Sequence, residues 1–138
     1  MPGTRRSRAR CLASLGLLAL TGAGIEQPLD GLQGDPVRGE AVVIRQTSTC
    51  TLCHAGPFPN PHLQGNVGPD LRGVGSRLSA AELRERLVDA SRENPETVMP
   101  AFYRTEGLTR VGAAWRGKPI LSAQEIEDAV AYLAGLKE

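Results

Sequence analysis

Cys50-Thr51-Leu52-Cys53-His54 is the stretch on which the reading of this 138-residue chain turns. It is C-x-x-C-H, the spacing at which two thiols attach a c-type haem. The chemistry demands that spacing. Two thioethers have to meet two vinyl carbons along one edge of the macrocycle, and the next residue has to put an imidazole nitrogen on the iron. A preceding helix that presents these residues in a single turn achieves both. Two other chemistries use similar side chains. A structural zinc site wants four Cys or His ligands. Beyond residue 24 the chain offers only Cys50, Cys53, His54 and His62, the last in a Pro-rich loop. A thioredoxin-like redox pair wants a strand, the motif and then a helix, whereas here the motif ends a helical pattern and enters a loop.

The second iron ligand is found by counting. The chain has two methionines, Met1 and Met99, and Met1 stands in a leader segment. Met99 lies in Thr97-Val98-Met99-Pro100, where Pro100 stiffens the loop and removes a backbone donor. A methionine also fills gaps in small cores, and that use competes with ligation. His62 is only eight residues past His54 and would have to wrap around the haem edge to reach the iron. Gly68-Pro69 offers a further element. A haem histidine usually donates its second N–H to a carbonyl, which fixes the ring. The Pro69 carbonyl can serve, though an ordinary turn accounts for Gly-Pro equally well. Ligation by His54 and Met99 closes both iron faces and raises the reduction potential. That points to electron transfer, with no position for substrate.

The N-terminus reads as an export signal covering residues 1–24. Arg5, Arg6, Arg8 and Arg10 form the basic region, Cys11 to Leu20 a short apolar run, and Thr21-Gly22-Ala23-Gly24 the small residues for cleavage. The run is too short to span a bilayer, so no stable membrane anchor is expected. Arg5-Arg6 hints at twin-arginine export, but the residues after it fit the general secretion route better. Cys11, at the start of the apolar run, is discarded with the signal. Its removal leaves 12 basic and 15 acidic residues, a net charge of −3. No basic stripe remains, which argues against nucleic acid and anionic membrane surfaces. Aromatics are only 4% of the chain. A small domain so poor in large apolar side chains buries little area of its own, and a macrocycle would supply much of the missing core.

Residues 25–34 read as a flexible lead-in and residues 35–138 as one haem domain. Asp35 is a good N-cap with Pro36 at the first helical position. Val37, Ala41 and Ile44 fall at the spacing of one helix face, predicting a helix to about Arg45. Residues 55–75 are rich in Gly, Pro and Asn and read as loop. Ser79-Ala80-Ala81-Glu82 and Ser122-Ala123-Gln124-Glu125 are capping boxes. Leu83, Leu87 and Ala90 follow the first, in a helix ending near Ser91. Ile126, Val130 and Leu133 follow the second, with Ala129 and Leu136 beside them. No alternating strand pattern appears, so the class is all-α with long loops. Arg84-Glu85-Arg86 reads as a solvated helix face. Trp115, Phe102 and Tyr103 read as residues packing a loop against the haem rather than as an interface.

C-x-x-C-H after a helix, a Gly-Pro loop, a lone Met and a last helix carrying Tyr132 resemble a class I cytochrome c. The resemblance implies that Gly39 or Ala41 of the first helix packs near Tyr132, and that Pro69 supplies the carbonyl to His54. A closer resemblance is to the SoxX family, the monohaem subunits of SoxAX cytochromes of bacterial sulfur oxidation. It is carried by Gly65-Asn66-Val67-Gly68-Pro69, by Asn94-Pro95-Glu96-Thr97-Val98-Met99-Pro100-Ala101-Phe102-Tyr103, and by the ending from Leu121 to Leu133. Arg104 to Val111 and Gly117 to Leu121 fit that family also. The similarity runs from about Asp35 to Leu136. It implies one covalent haem c, a periplasmic location, a SoxA-like partner in a heterodimer, and a path of electrons from that partner to a downstream cytochrome c. The complex joins thiosulfate to a cysteine of the carrier SoxYZ, with the chemistry on the SoxA side beside a cysteine-ligated haem. No third cysteine remains here to supply that ligand. The alternative is a free-standing periplasmic carrier. Such carriers often display a ring of lysines, and beyond the signal only Lys118 and Lys137 are present.

Overall fold

The computed structural model describes residues 24–138, so nearly all of the expected signal lies outside the described residues. The all-α expectation holds: among the described residues there are helices and 3-10 turns and no strand. The first helix, α1, spans Pro36–Ile44. The Asp35 carboxylate caps it by accepting from the N–H groups of Val37 (2.8 Å) and Arg38 (3.0 Å). Its buried face is Gly39, Val42 and Val43, not the predicted Val37–Ala41–Ile44 row. Val37 is 77% exposed and Ile44 38%. The cause is the crossing with the last helix, α5 (Ala123–Gly135). A side chain at Gly39 would run into the Asp128 carbonyl and Tyr132 Cβ. The contact therefore centres on the residue with no side chain, and positions 42 and 43 follow it on the same face. Of the two small residues, Gly39 meets Tyr132, and Ala41 is exposed.

Helix α2 is the single turn Cys50–Cys53, α3 is Val74–Arg77 and α4 is Ala80–Asp89. Both capping boxes are formed, with Ser79 and Glu82 at α4 and Ser122 and Glu125 at α5. Leu83 and Leu87 of α4 meet Ile126, Ala129, Val130 and Leu133 of α5 in one core with Val43, Val74, Phe102 and Leu121. A 3-10 turn, Ala90–Arg92, ends α4. Helix α3 falls at the end of the stretch read as loop. It forms because Gly75 sits against the Ala134 carbonyl and donates its N–H to Leu136 O at 2.9 Å.

One feature departs from the reading of the charges. Arg84 is not solvated: it is 5% exposed, and its guanidinium grips Glu127 of α5 through Nε (2.8 Å) and Nη2 (2.9 Å). Its third nitrogen donates to Ile25 O at 2.6 Å. The next residue of α5, Asp128, is also buried and takes two bonds of 2.8 Å from Arg38 and one of 2.8 Å from Asp35 N–H. Residues 25–34 run along this charged seam. Leu29 N–H donates to Glu127 (2.8 Å), Ile25 N–H to Ala81 O (3.2 Å), and the Gln33 carbonyl accepts from Gln124 (2.8 Å). Of the aromatics beyond Met99, Phe102 is buried and Tyr103 half-buried, but Trp115 stands 53% exposed. Among the described residues no helix is long and apolar enough to cross a membrane.

Candidate cofactor site

The motif does not continue α1. After Ile44 the chain turns, with Ser48 Oγ donating to Arg45 O (2.8 Å) and Thr49 N–H to Gln46 O (3.2 Å). Thr49 adopts a left-handed conformation, φ 60°, which no continuing helix allows. Cys50 then opens its own turn. Packing on α5 fixes the direction of α1, and the motif needs another direction, so the backbone is reset between them. His54 N–H closes the turn on Cys50 O at 2.9 Å, while His54 itself is extended, so its ring leaves the helix.

The loop after the motif folds back on it. Gly65 N–H donates to Thr51 O (2.9 Å), Gly68 N–H to Cys53 O (2.8 Å) and Leu71 N–H to Ala55 O (2.8 Å). These bonds bring the Pro69 carbonyl 2.7 Å from His54 Nδ1. A carbonyl only accepts, so Nδ1 is the nitrogen that donates here and Nε2 is the one left to meet a metal. Gly68 lies against the ring: a side chain there would collide with Cε1, Nδ1 and Nε2 of His54. Gly65 likewise lies on the Leu52 carbonyl.

Cys50 and Cys53 are free and half-buried. Burial pushes the Cys50 thiol above its ordinary value, opposite to the activated thiolate of a disulfide oxidoreductase. No zinc quartet assembles. Among the described residues no three His, Cys, Asp or Glu are grouped to hold a metal ion, and His62 is exposed in the 3-10 turn Pro61–Leu63. Met99 is half-buried and packs against the same core as Cys50, Tyr103 and Tyr132. Its N–H donates to Thr97 Oγ1 (3.2 Å), and the chain beyond it is pinned to α4 by Phe102 N–H on Leu87 O (3.1 Å).

The residues present fit a covalent haem. They offer two free thiols one turn apart, an imidazole oriented through Nδ1, a thioether from another element, and a glycine clearing the ring. Apolar side chains beside these groups are left uncovered, Leu52 at 62%, Val67 at 69% and Val98 at 79%, as a large planar apolar ligand would require. Sequence reasoning did not find the Ser48–Thr49 turn or the Gly65 contact. The run Gln46-Thr47-Ser48-Thr49, polar and β-branched between two apolar patterns, was the available signal for the break.

A cytochrome c family model matches residues 37–137. No curated protein gives a significant match. Among solved structures, a chain in the crystal structure of SoxXA from P. pantotrophus is 37% identical, with a TM-score of 0.75 over 83% of this chain and 90% of that one.

Proposed function

Because the chain belongs to the cytochrome c family, in its SoxX branch, we propose that it is the periplasmic electron-transfer subunit of a SoxAX-type, thiosulfate-oxidising complex. Cys50 and Cys53 would hold one haem c through thioethers, and His54 Nε2 and Met99 Sδ would be the protein's ligands to its iron. When bound, the haem supplies a one-electron iron couple. The protein supplies the rest. The Pro69 carbonyl holds the His54 ring in one tautomer and makes Nε2 a better donor. Gly68 leaves room for that ring. Met99, delivered from a loop pinned on α4, would with His54 leave the iron no open position, so sulfur chemistry would fall to a SoxA-like partner chain acting on a SoxYZ-type carrier. Electrons then leave this subunit for a downstream cytochrome c.

The likeness to SoxXA across most of both chains carries this reading. The test is affinity purification of the tagged protein from its own cells grown on thiosulfate, with denaturing gels stained for covalent haem. A second, larger haem-staining chain in fixed ratio is the expected result. A lone haem band at this size would make the protein an independent carrier. No haem band would end the reading.

A further inference from the structure

The 17 residues 104–120 leave the fold as one long excursion. Its base is closed by Leu121 N–H on the Phe102 carbonyl at 2.9 Å, and it holds only a short 3-10 turn, Ala113–Trp115. Loops this long in a compact domain are uncommon and usually have a function. Its charge is opposite to that of the rest. Four cations against Glu106 give the loop +3, while the other eight cations and fourteen carboxylates of residues 24–138 give −6. Arg104 is committed to Asp89 at 2.7 Å. Arg110, Arg116 and Lys118 are exposed and have no carboxylate partner among the described residues. Arg110 and Arg116 line one shallow pocket with Leu108 and Val111. Arg110 does so from a left-handed backbone, φ 59°, a conformation that costs an arginine energy and persists where something else requires it. The only tryptophan of the chain, Trp115, is 53% exposed in the same loop.

Unpaired arginines around an exposed tryptophan and a few aliphatic groups are the composition of a protein-binding hot spot. We propose that this loop docks an acidic face of the transient protein that takes the electron from this subunit, a proposal that rests on the electron-transfer reading above. Charge complementarity selects the occupant. A +3 loop on a −6 body orients an acidic partner before contact and speeds encounter, as suits a short-lived redox complex. A permanent subunit interface is larger and more apolar. The loop starts five residues after Met99 in the chain. One electron passes from the reduced subunit to the oxidised acceptor, and no proton or group moves with it.

The test uses the purified haem-loaded protein and plant plastocyanin, a copper protein with an acidic surface, as probe. Binding is measured at low and at physiological salt, and contacts are trapped with a carbodiimide, which couples lysine amines to carboxylates. The expected result is salt-sensitive binding, coupling at Lys118 and not at Lys137, and at least tenfold weaker binding by R110E/R116E and by W115A. The variants keep the wild-type haem spectrum, melting temperature and co-purifying larger haem chain. Equal binding by the variants, coupling at Lys137, absence of wild-type binding at low salt, or preferential binding to phosphatidylglycerol vesicles would overturn the proposal. Loss of the larger haem chain from R110E/R116E would also overturn it, by making the loop part of the permanent interface. A wild-type protein without covalent haem would instead overturn the electron-transfer reading itself.

Discussion

At His54 one hydrogen bond and one missing side chain decide what the imidazole can do. The Pro69 carbonyl accepts the hydrogen bond from Nδ1–H and Gly68 gives the ring its room. Replacing Gly68 by Ala puts a methyl group into the ring, so either the ring tilts off Pro69 or the 65–71 loop lifts from α2. Overpacking of this kind costs about 1–3 kcal/mol. Denaturant unfolding of haem-loaded G68A should show that loss together with a shifted potential, and a variant within about 0.5 kcal/mol of wild type would mean the site gives way more easily than it looks. Met99 makes the complementary test. M99A should lose the far-red iron–sulfur absorption band and fall in potential, because thioether ligation raises it. A band that persists would remove Met99 from the iron, and no other methionine lies beyond residue 24 to replace it. The identities of Cys50, Cys53, His54 and Met99 as candidates were legible because spacing and scarcity are properties of the string. The Thr49 conformation that aims them was not, because threonine rarely takes positive φ and nothing local announces that it does here.

The helices divide along the same line between local and distant causes. Both capping boxes could be read ahead of the structure, since cap and partner are three residues apart. The face of α1 could not, because it is chosen by the Asp128 carbonyl and Tyr132, about ninety residues further along the chain. The burial of Arg84 was hidden for the same reason, its partner Glu127 being 43 positions away. Breaking that pair leaves a buried charge with no compensation, which typically costs about 3–5 kcal/mol. E127Q should therefore unfold at much lower denaturant, and R84M/E127L should recover most of the loss. If the double variant is as weak as the single, packing rather than charge is the reason. Asp128 adds a pH dependence. Burial pushes its carboxyl up, but Arg38, Asp35 N–H and Gln124 outweigh that and hold it below its ordinary value. With the folded value depressed, its stabilisation is complete above the unfolded value of about 3.9 and is lost as pH falls through the lower folded one. Thermal melting from pH 6 down to pH 2 should show D128N starting less stable and converging on wild type only below about pH 4. A gap that stays constant would mean the carboxylate's charge is irrelevant.

Taken whole, the molecule has one side built on α5 and one with little apolar packing of its own. Helices α1, α3 and α4 all rest on α5, and the fully buried Val43, Leu121 and Ile126 belong to that side. Against this stand α2, whose packing is on α1, and the loops on either side of it, with Leu52, Leu63, Val67 and Val98 largely exposed. Backbone hydrogen bonds tie the 65–71 loop to α2, but such bonds exposed to water contribute little net stability. A chain with 4% aromatics has few large side chains to cover that region itself. A haem would do so, tethered at Cys50 and Cys53 and reached by Met99 from the far end of α4. The halves should therefore come apart unequally. In a C50A/C53A chain made without haem, residues 50–71 and 94–103 should exchange amide hydrogens freely, while α5 keeps part of its protection as the most deeply packed element. The melting midpoint should drop by at least ~10 °C, equivalent to about 2 kcal/mol for a domain of this size. Uniform loss of protection would mean that α5 does not hold a core of its own. Full protection of residues 50–71 without haem would mean that the loops are self-supporting, and the exposed apolar residues around the motif would then call for a covering other than the macrocycle.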